Sequence, residues 1–450
     1  MTELSRIFGP ESKGGTAQER AKTSSRMFVR SQVQLALDSP EATGRRITAL
    51  EALDAYGLEL LEQVVEDGGV GLVTNPSEPS QTIAERRRAM RLSKRVVASE
   101  AGVSVDDLTN AETAGAVIPI RGLENIAQVL ALDERRLGLS GIGHGDNELA
   151  LRLRELKQVE ERDDEFVAQL AGAAWVIARQ TELSEKLSAD RNKKSLFRSK
   201  SKDYNPPVWE KGYVLAETTR IRLGLDASAP IESVYKLAQD ELGIPIIDME
   251  LPAEIAGATV LNGSARGVVL NKTGANRNVL VRRMTLAHEL CHLLWDPDRE
   301  LERVRVDESA DLGRRQIRDL VEARANAFAV ALLAPRAAVL QTHGGQSVYD
   351  TVSRIAETFG ISPSAAANHV ANVCHLDPRD LSRSPTASAA VTRLWDRREI
   401  QDNIITGHVP DSRGGRFALL TVQAVRKRLI SVDTAAAWLK IDKRLIADLF

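Results

Sequence analysis

A chain of 450 residues is too long for one hydrophobic core and implies two to four domains. Its 60 basic and 62 acidic side chains leave a formal net charge of -2, so no global field draws it to nucleic acid or a membrane; such contacts would need a local patch. Two cysteines, Cys291 and Cys374, argue against a disulfide framework and fit a reducing cytosol.

The opening MTELSRIFGPESKGG lacks the apolar core of a signal peptide, and the most hydrophobic stretch, residues 168–178, is too short to span a bilayer. The expected location is cytoplasmic, with no membrane partner. Aromatic residues make up only 4%, so helices packed through Ala, Leu and Val are expected, with a smaller α+β portion.

In chain order, residues 1–25 are polar and charged and are predicted to be disordered. A helical pattern over 27–67 ends in the Gly-, Pro- and Ser-rich EDGGVGLVTNPSEPS; the segment 1–80 receives no function. Residues 81–140 predict a five-helix block: IAERRRAMRL, a helix capped by Ser93 and closed by Gly102, a third capped by Ser104, then IRGLENIAQVLAL and DERRLGL. The second and third have helix-turn-helix spacing. A charged helical stretch at 147–189 is a connector or a dimer seam, which makes a homodimer one expected assembly. The basic run RNKKSLFRSKSK closes a linker over 141–207. Residues 208–376 predict a mixed domain, with helices at WEKGYVLAETTRIRLGL and APIESVYKLAQDELG and strands at IPIIDMEL, GATVLNG and RGVVLNKT. The last strand is a candidate for pairing with an extended substrate. Helical pairs are predicted at 349–376 and 416–450, within and beyond a boundary at 377.

The chemistry is concentrated in TLAHELCHLLW, residues 285–295. On a helix His288 and His292 stand one turn apart on one face and can share a cation through imidazole nitrogens. Glu289 points beside that cation, where a general base for water is needed. A third ligand is required. In DLVEARANAFAVALLAP, Glu322 shares a helical face with Ala325, Asn326 and Ala329, and the small alanines permit close approach. Asp296, Asp307, Glu308 and Asp319 are rival carboxylates ranked lower. Zn2+ is the expected metal, although imidazole and carboxylate ligands also accept Mn2+ or Fe2+.

MTLAHELCHLLW followed by VEARANAFAVALLAP resembles the ImmA/IrrE family of metallopeptidases, with similarity running from about Trp209 to 376. The resemblance implies a compact zincin-like domain, His288, His292 and Glu322 as metal ligands, Glu289 as base, and a repressor protein as substrate. Cys291 stands where the family usually has Gly; a small helix-packing group is the favoured role. Residues 83–139 resemble the XRE (Cro/CI-like) helix-turn-helix. That likeness implies DNA contacts at Lys94 and Arg95 for phosphates, backed by Arg86, Arg87 and Arg88, and at Thr109 and Asn110 for bases. Asp106 and Asp107 oppose them on the same helix. The combined expectation is a zinc endopeptidase acting as a transcriptional regulator through a fused DNA-binding domain. The alternative is a DNA-binding regulator whose peptidase-like domain senses without cleaving, in a toxin–antitoxin or phage-defence setting.

Overall fold

A computed structural model describes residues 2–73, 75–139, 148–150, 153, 163–187, 207–296, 305–308, 320–344, 346–377, 387–399 and 408–447. The basic run with Lys193, Lys194, Arg198, Lys200 and Lys202 lies outside these residues. The described residues are mostly helical, with two small four-stranded sheets among them. Contacts divide it into one unit of residues 1–190, 262–265 and 403–450 and another of 191–261 and 266–402.

In the first unit the N-terminus departs from the expected disorder. Helices Glu3–Phe8 and Ala17–Thr23 are capped by Thr2 and Thr16, and Ile7, Phe8 and Ala21 are buried. Short sequences can order when caps satisfy their first N–H groups and a few apolar residues reach a core. The pattern over 27–67 was also only partly helical. Its first half forms strands β1 (Met27–Arg30), β2 (Gln34–Leu37) and β3 (Arg45–Thr48), and only Ala49–Asp67 is a helix. With β4 (Gly69–Gly71) they make an antiparallel sheet of order β3-β1-β2-β4. Thr48 and Glu51 form the capping box that switches strand to helix.

Helices Ser80–Ala89, Lys94–Ala101, Val105–Ala111 and Ile120–Val129 follow, with Ser93, Ser104 and Gly102 at the caps. The fifth expected helix does not form. Residues 134–138 form turns, because Asp133 accepts from the Arg135 backbone and guanidinium and Gly138 takes φ +93. The C-terminal helices Gly415–Arg426 and Val432–Leu439 close this unit. Glu134 accepts from the Trp175 and Trp438 indoles, each at 2.9 Å, and Glu51 accepts from the Ser431 backbone at 2.8 Å.

The second unit holds a sheet of order β5-β7-β6-β8, formed by Ile246–Met249 (β5), Ile255–Asn262 (β6), Ala265–Asn271 (β7) and Arg305–Glu308 (β8). β5 runs parallel to β7, and β8 antiparallel to β6. The strand expected to receive a substrate, β7, is therefore interior: its backbone groups already pair on both sides, and β5 and β8 are the edges. Helix Val208–Leu223 forms as expected. The stretch APIESVYKLAQDELG forms a shorter helix than expected, α-helical over Val234–Lys236 and π-helical over Leu237–Glu241.

The motif helix Val279–Trp295, the helix Leu320–Leu333 and the pair Val348–Phe359 and Pro363–Cys374 share one core. Helix Ala389–Arg398, past the expected boundary at 377, packs on the motif helix.

Within that core His369 is buried. Its Nε2 donates to the Ala334 carbonyl at 2.7 Å and its Nδ1 accepts from the Tyr213 hydroxyl at 2.7 Å. Burial, with Arg336 nearby, pushes the imidazole down to about 4 against the Ala334 bond. A depressed histidine stabilises the fold above its unfolded value near 6.5, and that contribution is lost as pH falls toward 4. Stability of the wild type should drop by up to about 3 kcal/mol more than that of His369→Gln across this window, as read from urea unfolding at each pH.

Candidate metal centre

The N-terminal half of the motif helix is fixed without any help from the ligands. Asn278 caps it, Thr285 bonds Asn276 at 2.9 Å, and Asn276 donates to the Ala256 carbonyl of β6 at 2.7 Å. Arg283 is fully buried. It pairs with Glu399, donates to the Ile231 carbonyl at 2.7 Å and lies 4.2 Å from the Trp395 ring centre. A buried guanidinium stays only where several acceptors surround it. Leu286, Leu290, Leu293 and Leu294 bury the opposite side of the helix.

This anchoring presents His288 and His292 one turn apart, with ring centres separated by 4.9 Å. Helix Leu320–Leu333 crosses them. Ala325 and Ala329 are wholly buried, and the neighbouring helix Val208–Leu223 approaches so closely at Gly212 that a Cβ there would meet the Arg324 carbonyl at 2.4 Å. The close packing places Glu322 Oε2 3.0 Å from His288 Nε2 and 3.5 Å from His292 Nε2, while the two Nε2 atoms are 3.1 Å apart. Tetrahedral coordination at about 2.0–2.1 Å sets donor separations of about 3.3 Å. The observed triangle fits a single divalent ion, and two imidazoles with one carboxylate suit zinc.

Burial alone would raise Glu322, but the adjacent imidazoles of His288 and His292 hold it well below the carboxylate range. Burial opposes the charged form of His292 too, yet Asp296 and Glu322 leave it above its ordinary value.

Glu289 has no exposed surface. Its Oε2 accepts from Thr259 of β6 at 2.6 Å, and a Cβ at Gly257 would come within 2.9 Å of its Oε1. β6 is thus shaped around this carboxylate, a relation sequence spacing did not reveal. Among the rival carboxylates, Asp296 accepts from His292 Nδ1 at 2.7 Å and so lies on the far side of that ring. Asp319 and the side chains of Asp307 and Glu308 fall outside the described residues. Cys291 is buried in the core, and burial pushes its thiol well up, consistent with a protonated packing group. Among the described residues, His288, His292 and Glu322 are the group able to hold a metal.

The residues singled out for DNA lie in the other unit. Arg95, Thr109 and Asn110 are exposed. Lys94 donates to Thr109 at 3.1 Å and lies 3.4 Å from Glu112. Two of the supporting arginines turn inward: Arg86 is buried and donates to the Leu130 carbonyl at 3.0 Å, and Arg87 pairs with Glu112 at 2.5 Å. Arg88 remains exposed.

Residues 239–370 match the peptidase family M78 model, described as the IrrE N-terminal-like domain. No curated protein matches the chain. The spacing of His288, Glu289 and His292, with Glu322 distal in sequence, matches an HExxH-type zinc metallopeptidase active site within this IrrE-like domain. Among the described residues no single helix is long and apolar enough to cross a membrane.

Proposed function

We propose that this protein is a metal-dependent endopeptidase that cleaves a repressor or partner protein and thereby regulates transcription. The observation that carries the proposal is the convergence of two imidazole nitrogens and the Glu322 carboxylate within 3.5 Å of one another, with Glu289, the residue after His288, oriented by Thr259. His288, His292 and Glu322 would hold Zn2+. When bound, such an ion acidifies water and polarises a peptide carbonyl. Glu289 then takes the proton of the attacking water and returns it to the leaving amine. The hydroxyl of Thr259 aims one carboxylate oxygen, and Gly257 leaves room for the other. A domain that only sensed a ligand would need neither feature, which favours cleavage over the sensor alternative. An extended substrate would pair with an edge strand, and β8, beside β6, is the edge nearer Glu289.

The four helices over 80–129 support a DNA-binding role of XRE type, with Val105–Ala111 presenting Thr109 and Asn110 outward. In this reading, phosphate contacts fall to Lys94 and Arg95, backed by Arg88, since Arg86 and Arg87 are engaged internally.

The experiment is incubation of purified protein with the products of genes adjacent to its own, with and without a chelator. Metal-dependent fragments, identified by mass spectrometry, are expected from a repressor-type protein. Identical digests in both arms would refute the proposal.

A further inference from the structure

Each imidazole of the centre has a second partner on the side away from Glu322. His288 Nδ1 lies 2.8 Å from Asn326 Oδ1, and His292 Nδ1 lies 2.7 Å from Asp296 Oδ2. Both partners are oxygen acceptors, so both Nδ1 atoms carry the proton. In the neutral Nδ1–H form the Nε2 atoms present their lone pairs to each other across 3.1 Å, with the Glu322 carboxylate beside them. Three electron-rich groups so close repel one another unless a cation lies among them. Without the Asn326 acceptor, His288 could place its proton on Nε2 and donate to Glu322 at 3.0 Å, closing the centre with a proton.

Asp296 is constrained in turn. Its Oδ1 pairs with Arg324 while its Oδ2 serves His292, so both oxygens are engaged and neither faces the Nε2 atoms. Arg324 lies two residues after Glu322 and two before Asn326. One helix, Leu320–Leu333, therefore carries the carboxylate of the centre, the amide that orients His288 and the guanidinium that holds the orienter of His292.

We propose that Asn326 and Asp296, the latter held by Arg324, are positioning residues that fix both imidazoles as Nδ1–H tautomers and so turn their Nε2 atoms toward a divalent cation beside Glu322. This rests on the metallopeptidase reading. Outer partners of this kind contribute roughly 10–100-fold to metal affinity.

The test uses the full chain and Zn2+ itself, titrated in competition with a chromophoric chelator, so that no substrate is needed. Asn326→Leu, close in volume but without an acceptor, should weaken zinc binding about 10–100-fold. Asn326→Asp restores an acceptor oxygen and should stay within about threefold of wild type. Asp296→Asn weakens the acceptor for His292 and loses the charge that pairs with Arg324. It should reduce affinity on the same scale, and it serves as the readout if Asn326→Leu fails to fold. Wild-type affinity in Asn326→Leu, or equal losses in Asn326→Leu and Asn326→Asp, would overturn the positioning role. Wild-type protein that takes up no zinc would overturn the metal centre itself, a distinct failure.

Discussion

Glu289→Gln should retain zinc and lose cleavage by about 10²–10⁴-fold, the range a general base contributes. The reasoning is geometric. Glu289 faces β6, where Thr259 donates to it at 2.6 Å, and it is not part of the His288, His292 and Glu322 triangle. A glutamine carboxamide has nearly the same shape and can still accept from Thr259, so the helix and the ligand positions should persist. It cannot take a proton from water. Metal content by mass spectrometry and fragment yield on one protein substrate are the paired readouts. Cleavage within tenfold of wild type would place the base elsewhere.

The second large effect is expected at Glu322. Glu322→Gln keeps the volume and removes the charge that faces both Nε2 atoms, leaving two neutral imidazoles. Zinc affinity should fall by more than the roughly 100-fold that an outer partner can cost, and cleavage should fall with it at limiting metal. The apo fold should change little, because the residue lies in the first turn of its helix and its side chain is 18% exposed. Retention of tightly bound zinc in this variant would show that another carboxylate supplies the third ligand, with Asp307 and Glu308 the first to examine.

The parts of the centre that could be read in the sequence are those whose geometry is set within a single helix. His288, Glu289 and His292 lie within five residues, so a pitch of 3.6 residues fixes their relation wherever the helix packs. Glu322 was legible because the alanines on its face announce a close helix crossing. Thr259 and Gly257 were not, since their contact with Glu289 depends on how β6 lies across a helix some thirty residues away. Asp296 is a rival carboxylate in the sequence, and sequence position alone cannot say that it meets His292 Nδ1 rather than the metal side of the ring. The ion pair of Arg283 and Glu399 is not legible in the sequence for the same reason, since it joins distant parts of the chain. Errors in the fold had a local cause. The strands β1 to β3 are four residues each, too short to outweigh a helical pattern read over a longer window, and a few capped, buried residues ordered an N-terminus whose composition suggested disorder.

The most direct test of the central claim is a crystal structure of the full chain grown with zinc, with data collected on both sides of the zinc absorption edge. One anomalous peak is expected, about 2.0–2.2 Å from His288 Nε2, His292 Nε2 and a carboxylate oxygen of Glu322. A peak ligated by other side chains, or none among these three at full zinc occupancy elsewhere, would contradict the account.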